Sequence, residues 1–317
     1  MEAEKAVSPS NGKIIGLLLS VLGIAVFSTI ELNCKWLART LAAAGATPID
    51  GFSLCFQRFF WTGLILIGMF YPAYRRSGRR LTARDLGVFL LNGVVCVTIS
   101  ISLYQFAVSI FENASSAAVV FSSNALFTII FARFINQEPW TFRKWLAIVI
   151  GMAGICCFVF EKGTPTMSTL GAILLMWGSA LAFACSVCIT RRVVSNYGPG
   201  LLMGFSSLFG SILVLPLALW YAKPGVWHSC VVGWFPLTTL IVAGTALGYC
   251  LYYGSMKYIS AYLASMTFML KPPLACLLAV CLAGEAMNRW TIAGTVIIVC
   301  SLLITNISFG RKKPAAQ

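Results

Sequence analysis

Ionisable side chains inside long apolar stretches are the residues of this sequence best suited to chemistry. Lys271 stands deep in such a stretch and is followed by Pro272 and Pro273. A charge at the centre of a membrane helix costs about 2.5 to 3.5 kcal/mol on insertion scales, so it needs a partner or a wet cavity. The prolines donate no backbone hydrogen bond and leave carbonyls one turn earlier without their usual donors. The sequence predicts that Lys271 binds a carboxylate or another anion; the alternative is a permanent brace with Glu31 or a helix end.

Glu31 is the second such residue, in the first apolar stretch, with Ser28 and Thr29 just before it. A carboxylate in a low-dielectric site holds a proton more readily, and one that changes partners between two states carries that proton with it. Glu31 is therefore a candidate substrate-binding and proton-coupling group. The alternative is an ion pair with Arg58 that only braces two helices.

The elements that carry these residues follow from composition. The chain has 317 residues, of which 59% are hydrophobic and 10% charged, with a mean hydropathy of +0.87. A membrane span takes about 20 apolar residues as helix. The sequence predicts an all-α integral membrane protein, a single transmembrane domain over 1–317, with ten transmembrane helices near 14–38, 49–72, 84–109, 114–136, 143–160, 168–190, 198–221, 235–256, 260–284 and 289–309.

The net charge of +14 is spread over the loops and forms no nucleic-acid-binding face. With the N terminus in the cytoplasm, 16 of the 23 basic residues fall in cytoplasmic segments and five in outer loops. The positive-inside rule then predicts that both termini are cytoplasmic. We expect a multi-pass protein of a bacterial-type plasma membrane whose partners are the lipid bilayer and a small-molecule substrate, and no nucleic acid.

An internal repeat organises the ten predicted spans. Residues 113–147 align with 260–294 at a constant offset of 147, which pairs Glu138 with Glu285 and Asn124 with Lys271. The first repeat covers 14–160 and the second 168–309. Five spans per repeat is an odd number, so the two inverted five-helix repeats enter the membrane from opposite sides. Such pairs hold a substrate near the midplane and work by alternating access.

Asn124 should therefore face the same central space as Lys271. With Ser123 beside it, we expect Asn124 to hydrogen-bond the substrate; the alternative is a bridge between helices, which amides commonly make in membranes.

Several short motifs resemble the EamA family of the drug/metabolite transporter superfamily, in order and in both halves. They are Gln57-Arg58-Phe59, Trp177-Gly178, Thr190-Arg191-Arg192, Lys271-Pro272-Pro273 and Gly284-Glu285. Val26-Phe27 stands where the family usually has tryptophan-glycine, and Asn124-Ala125 stands where it has a proline. The resemblance implies a ten-helix transporter of small metabolites, often an exporter of amino acids, without ATP-driven machinery.

The resemblance also assigns the spans bearing Trp177, Tyr104 and Tyr252 to the cavity wall, so these three are candidate substrate-binding residues. Packing or an interfacial aromatic belt is the alternative for each. The twelve cysteines lie almost all in spans and favour packing over metal or redox chemistry. We expect no cofactor, metal or catalytic residue.

The sequence thus predicts a secondary transporter that exports amino-acid-like or other carboxylate-bearing solutes. One alternative is a proton-coupled exporter of cationic drugs or quaternary amines, in which Glu31 receives the cation. Lys271 argues against it, because a fixed positive charge repels that cargo. The other alternative is a membrane-embedded enzyme or structural subunit; no nucleophile with an adjacent base supports it.

Overall fold

The computed structural model describes residues 9–110, 121–139, 141–160, 168–271, 273–274, 277 and 289–306, and these are helical or in turns, without strands. The α-helices are α1 (Pro9–Ser28), α2 (Ile30–Ala43), α3 (Gly51–Arg76), α4 (Ala83–Gly93), α5 (Ser102–Ile110), α6 (Asn124–Ile135), α7 (Phe142–Phe160), α8 (Ser168–Tyr197), α9 (Pro199–Tyr221), α10 (Val226–Val232), α11 (Trp234–Thr239), α12 (Gly248–Ser255), α13 (Ala261–Thr267) and α14 (Arg289–Asn306). The predicted all-α class is confirmed for this part of the chain.

Six helical stretches are long and apolar enough to cross a membrane. They are Asn11–Ala43, Gly51–Arg76, Ala83–Ala107, Ile173–Tyr197, Pro199–Tyr221 and Trp234–Ser255. Three further apolar helices are shorter: Asn124–Ile135, Ala261–Leu270 and Ile292–Ser301. The fourth predicted span begins at 114 and the ninth ends at 284, and both of those ends lie outside the described residues.

Local caps fix where several helices begin. The Asp50 side chain accepts a hydrogen bond from the Ser53 amide at 2.9 Å, which satisfies one donor of the first turn of α3. Ser260 caps α13 in the same way through the Leu263 amide at 3.2 Å. These caps satisfy backbone donors in the first turns of α3 and α13.

Five irregular segments interrupt the helices in the described part of the chain. Two are π-helical segments of eight residues, Val94–Ile101 (π1) between α4 and α5, and Leu240–Leu247 (π2) between α11 and α12. Two are turns, at Thr29 between α1 and α2 and at Ser122–Ser123 before α6, and the fifth is a 3-10 turn, Phe268–Leu270, after α13. Such departures from α geometry are common at functional sites, because they free or redirect backbone groups.

Glycines bring α3, α4 and π1 very close to α9. A β-carbon on Gly93 would overlap the backbone oxygen of Ser206, and one on Gly210 would lie 2.6 Å from the Gly93 carbonyl oxygen. Thr98 donates to the Gly210 carbonyl at 3.0 Å across the same interface. Close backbone contact at small residues is how membrane helices associate without a hydrophobic driving force.

We expect Gly93→Ala to destabilise the protein, because the added methyl group meets backbone that cannot rotate away. Overpacking of this kind costs about 1 to 3 kcal/mol. Gly87→Ala, in the same helix, is the matched control: nothing lies within 4 Å of its added β-carbon, and alanine favours helix by about 1 kcal/mol. Thermal unfolding of the purified protein in detergent should show a lower midpoint for Gly93→Ala only. Equal midpoints for the two variants would contradict this packing.

Candidate functional site

A cavity of about 300 Å³ opens among the helices, on the side of the α2–α3 connection. Its wall comes from seven of the predicted spans, in both halves of the chain. The lining residues are Phe27, Ile30, Cys34, Ala38, Arg58, Ile101, Tyr104, Gln105, Phe121, Phe183, Tyr249, Phe268 and Lys271. Its volume suits a small organic molecule.

Lys271 follows the 3-10 turn and is only 7% exposed. Its ammonium lies 5.7 Å from the centre of the Tyr104 ring, close enough for a cation–π interaction. The Lys271 carbonyl accepts a weak hydrogen bond of 3.4 Å from the Ser28 hydroxyl, which also donates to the Ile24 carbonyl at 2.9 Å. The end of α1 therefore holds the backbone that carries this charge.

Arg58 is the second cation on the cavity wall and is 5% exposed. Its Nε–H donates to the Thr245 hydroxyl at 3.2 Å. Thr245 lies within π2, and its hydroxyl in turn donates to the Leu240 carbonyl at 2.8 Å. That carbonyl is five residues earlier, so the widened π2 backbone supplies the acceptor that positions the side chain holding Arg58.

An aromatic floor closes the deep end of the cavity. It consists of Phe121, Phe183 and Phe268, and Tyr252 packs against the last two from behind. Phe268 lies 5.1 Å from Phe183 and 5.0 Å from Tyr252 between ring centres, both with edge-on geometry. Phe121 lies 5.2 Å from Phe183. Such ring contacts are favourable beyond their area and stiffen the floor.

Among the described side chains, the cavity wall thus has two cations, neutral polar groups and aromatic carbon, and no carboxylate. No group of three or more metal-ligating side chains occurs in the part of the chain that the structure describes. The site can attract an anion and pack an apolar body.

Two of the seven predicted site residues line this cavity, Lys271 and Tyr104. Three others lie behind its wall. Asn124 donates to the carbonyl of the lining residue Phe121 at 2.9 Å, while its own oxygen and the Ser123 hydroxyl are buried without a hydrogen-bond partner among the described residues. Tyr252 is fully buried beneath the aromatic floor.

Trp177 does not reach the cavity. Its side chain is 49% exposed, whereas Met176, Ala180 and Phe183 of the same helix are buried. Those three residues recur every three or four positions and form the inward stripe of α8, and Trp177 lies about 100° away from Met176 around the helix. The expected wall position of Trp177 therefore does not match the helix phase.

Glu31 lies in the first turn of α2, directly after the lining residue Ile30. The position of its side chain lies outside what the structure describes.

Arg58 was expected only as a partner of Glu31, and sequence reasoning did not assign Phe121, Phe183 or Phe268 to the site. The repeat alignment held a signal for two of them, because Phe121 and Phe268 are paired by the offset of 147. Their rings meet at 6.2 Å in the structure.

The face opposite the cavity is closed by polar contacts between helices. Tyr197, at the end of α8, donates to the Asp85 carboxylate of α4 at 2.5 Å. Deeper in the same region, the Asn92 amide donates to Ser206 at 3.2 Å and accepts from Ser186 at 3.0 Å. We call this set, with the contact below, the latch.

The latch also includes Glu138, which precedes α7. Its carboxylate accepts a hydrogen bond from the Ala261 amide at 2.8 Å, at the first turn of α13, and lies 3.6 Å from the Lys144 ammonium. A carboxylate at a helix N-terminus is stabilised by the free amides and the helix dipole. Glu138 thus joins two halves of the chain at this face.

The sequence matches the EamA-like transporter family over residues 36–160 and again over 170–307. An uncharacterized transporter of Clostridium kluyveri is 30% identical over 303 residues, covering 94% of each chain. An S-adenosylmethionine uptake transporter of Rickettsia prowazekii is 23% identical over 300 residues, again covering 94% of each.

A solved crystal structure of a protein is similar in fold. It superposes with a TM-score of 0.73 at 16% sequence identity, covering 92% of this chain and 95% of the other. At this sequence identity the similarity shows a shared fold and nothing about activity.

Proposed function

The chain belongs to the EamA-like transporter family, and on that premise we propose that it is a secondary transporter of small organic solutes that carry a carboxylate, including amino-acid-like ones. The observation that carries this proposal is the buried cavity with Lys271 and Arg58 on its wall. Positive charge on the wall of a low-dielectric cavity attracts an anionic solute.

We propose that the chain forms ten transmembrane helices in two inverted five-helix repeats. The family matches the chain twice, once in each half. The π-helical segments Val94–Ile101 and Leu240–Leu247 begin 146 residues apart, close to the offset of 147 in the alignment. A turn at Ser122–Ser123 and the 3-10 turn Phe268–Leu270 also fall at matching places. Corresponding irregularities in both halves support a duplicated unit.

Transport in this proposal proceeds by alternating access. The cavity reaches toward one membrane face, and the latch closes the other. If the two repeats exchange conformations, the latch breaks, the mouth near α2 closes, and a solute held by Lys271 and Arg58 changes sides without leaving its site.

We further propose that the latch face is cytoplasmic and that net transport is outward across a bacterial-type plasma membrane. The basic residues Arg79, Arg84 and Arg192 lie on the latch face, as the positive-inside rule requires of a cytoplasmic surface. The direction of net transport is set by the ion gradient to which solute movement is coupled. For that gradient we propose protons, carried by Glu31, which lies in the first turn of the helix that follows the break at Thr29.

A second candidate function is uptake of S-adenosylmethionine, after the named activity of the Rickettsia relative. The aromatic floor suits an adenine ring and Lys271 suits a carboxylate. The positively charged sulfonium of that molecule would lie near Arg58 and Lys271. The same repulsion applies to the cationic drugs or quaternary amines of the alternative export function. The cavity charge therefore favours the carboxylate proposal over both.

Replacing Lys271 tests the anion site. In proteoliposomes, we expect Lys271→Met to reduce uptake of carboxylate substrates by about tenfold or more, because loss of one charged hydrogen bond is worth about 1.5 to 3 kcal/mol. Lys257→Met is the matched control, since Lys257 is exposed on the surface. Unchanged uptake of every carboxylate in a folded Lys271→Met protein would rule out this role.

Replacing Glu31 tests coupling separately. We expect Glu31→Gln to retain substrate exchange between the two sides and to lose accumulation driven by an imposed pH gradient, because an amide carries no titratable proton. The measurement compares exchange and gradient-driven uptake in the same vesicles. Full pH-driven accumulation by Glu31→Gln would refute the coupling role.

A further inference from the structure

Arg58 is held in a fixed position on the cavity wall. Its Nε–H donates to Thr245, and Thr245 is fixed by the π2 backbone. A guanidinium has five N–H donors in a rigid fork that matches a carboxylate in two parallel hydrogen bonds. The hydrogen bond to Thr245 uses the Nε–H of Arg58 and fixes the plane of its guanidinium. The arrangement orients an anion-binding group before any ligand arrives.

The charge of the cavity sets what it can accept. Arg58 and Lys271 contribute two positive charges, and the other described polar groups of the wall, Gln105, Tyr104 and Tyr249, are neutral. One ionised carboxylate from Glu31 would still leave the cavity net positive. A cargo ammonium would therefore meet like charge in a site of low dielectric, where repulsion is weakly screened.

The apolar part of the wall sets the shape of the cargo. Six aromatic rings line the cavity: Phe27, Tyr104, Phe121, Phe183, Tyr249 and Phe268. Phe27 packs 4.8 Å from Tyr249 and 5.8 Å from Phe268 between ring centres, so the rings form a continuous surface. Such a surface favours a flat apolar or aromatic body over a hydrated one.

We propose that Arg58 is a second anion-binding residue beside Lys271, and that the cargo is an organic acid with an aromatic or apolar body and no ammonium group. This inference rests on the proposed transport function and narrows it. Among carboxylate-bearing solutes it selects aryl-alkanoic and aromatic 2-oxo acids over zwitterionic amino acids. Arg58 and Lys271 together grip the acid end, and the aromatic floor receives the body.

Three probes with one phenyl-ethyl body separate the charge classes: 3-phenylpropionate as the anion, phenylalanine as the zwitterion and 2-phenylethylamine as the cation. Binding to the full-length protein in detergent is measured by thermal shift, since a ligand of the folded state raises the unfolding midpoint. We expect 3-phenylpropionate to bind about tenfold or more tightly than phenylalanine, and 2-phenylethylamine not to compete. Transport of the same three probes is measured in proteoliposomes.

Arg58→Gln tests the residue itself. We expect affinity for 3-phenylpropionate to fall by about tenfold or more and the preference over phenylalanine to shrink, with partial recovery in Arg58→Lys because the charge returns without the fork. Arg133→Gln is the matched control, as Arg133 is exposed on α6. The probe series on the unmodified protein gives a result even where Arg58→Gln fails to fold.

Stronger binding or faster transport of phenylalanine or 2-phenylethylamine would overturn this inference and leave the transport function standing. A folded Arg58→Gln protein with unchanged affinity and selectivity would also overturn it. The proposed function fails by a different result, which is the absence of Lys271-dependent transport for every carboxylate, whatever the charge of its remaining groups.

Discussion

Two positive charges in a low-dielectric interior are the constraint on which the rest of this structure depends. Arg58 and Lys271 are 5% and 7% exposed, where an ionised group without compensation is costly. Two departures from regular helix lie beside these charges. The π2 segment provides the Thr245 hydroxyl for Arg58, and the 3-10 turn brings Lys271 against the Tyr104 ring. In the proposed function, an anionic cargo binds to these same two charges.

The aromatic floor and the latch solve a second problem, which is to keep the site closed toward one face. The aromatic floor is held by contacts between rings. Moving these rings therefore does not require hydrogen bonds between them to break in a set order. The latch instead uses a few polar contacts between helix ends, Tyr197 with Asp85 and Glu138 with Ala261. Such contacts at helix ends cost little to exchange for water, whereas the Asn92 contacts of the latch are buried. In the proposed cycle both the latch and the aromatic floor rearrange when a solute changes sides.

Sequence alone predicted the helical class, the family and the charge at the centre, because hydrophobic length and a buried lysine leave a strong signal. The family resemblance assigned the span of Tyr104 to the cavity wall, and the Tyr104 ring lines the cavity beside Lys271. Trp177 was expected on the cavity wall, but its side chain does not line the cavity. A predicted span assigns a residue to a helix and not to one face of that helix, and Met176 and Phe183 define the inward face of α8. Asn124 lies behind the cavity wall, where its side chain donates a hydrogen bond to the Phe121 carbonyl. Arg58 was visible as an intramembrane charge, but its orientation depends on π2, which no residue pattern indicates.

Spin-label distances across the two faces test the alternating-access account most directly. One label pair on Arg39 of α2 and Ser109 of α5 spans the cavity mouth, and another on Arg84 and Ser195 spans the latch beside Asp85 and Tyr197. With substrate turning over, the account predicts opposite changes: the mouth pair shifts to shorter distances in the same fraction of molecules in which the latch pair shifts to longer ones. Distances that stay fixed, or that lengthen together at both faces, would contradict it.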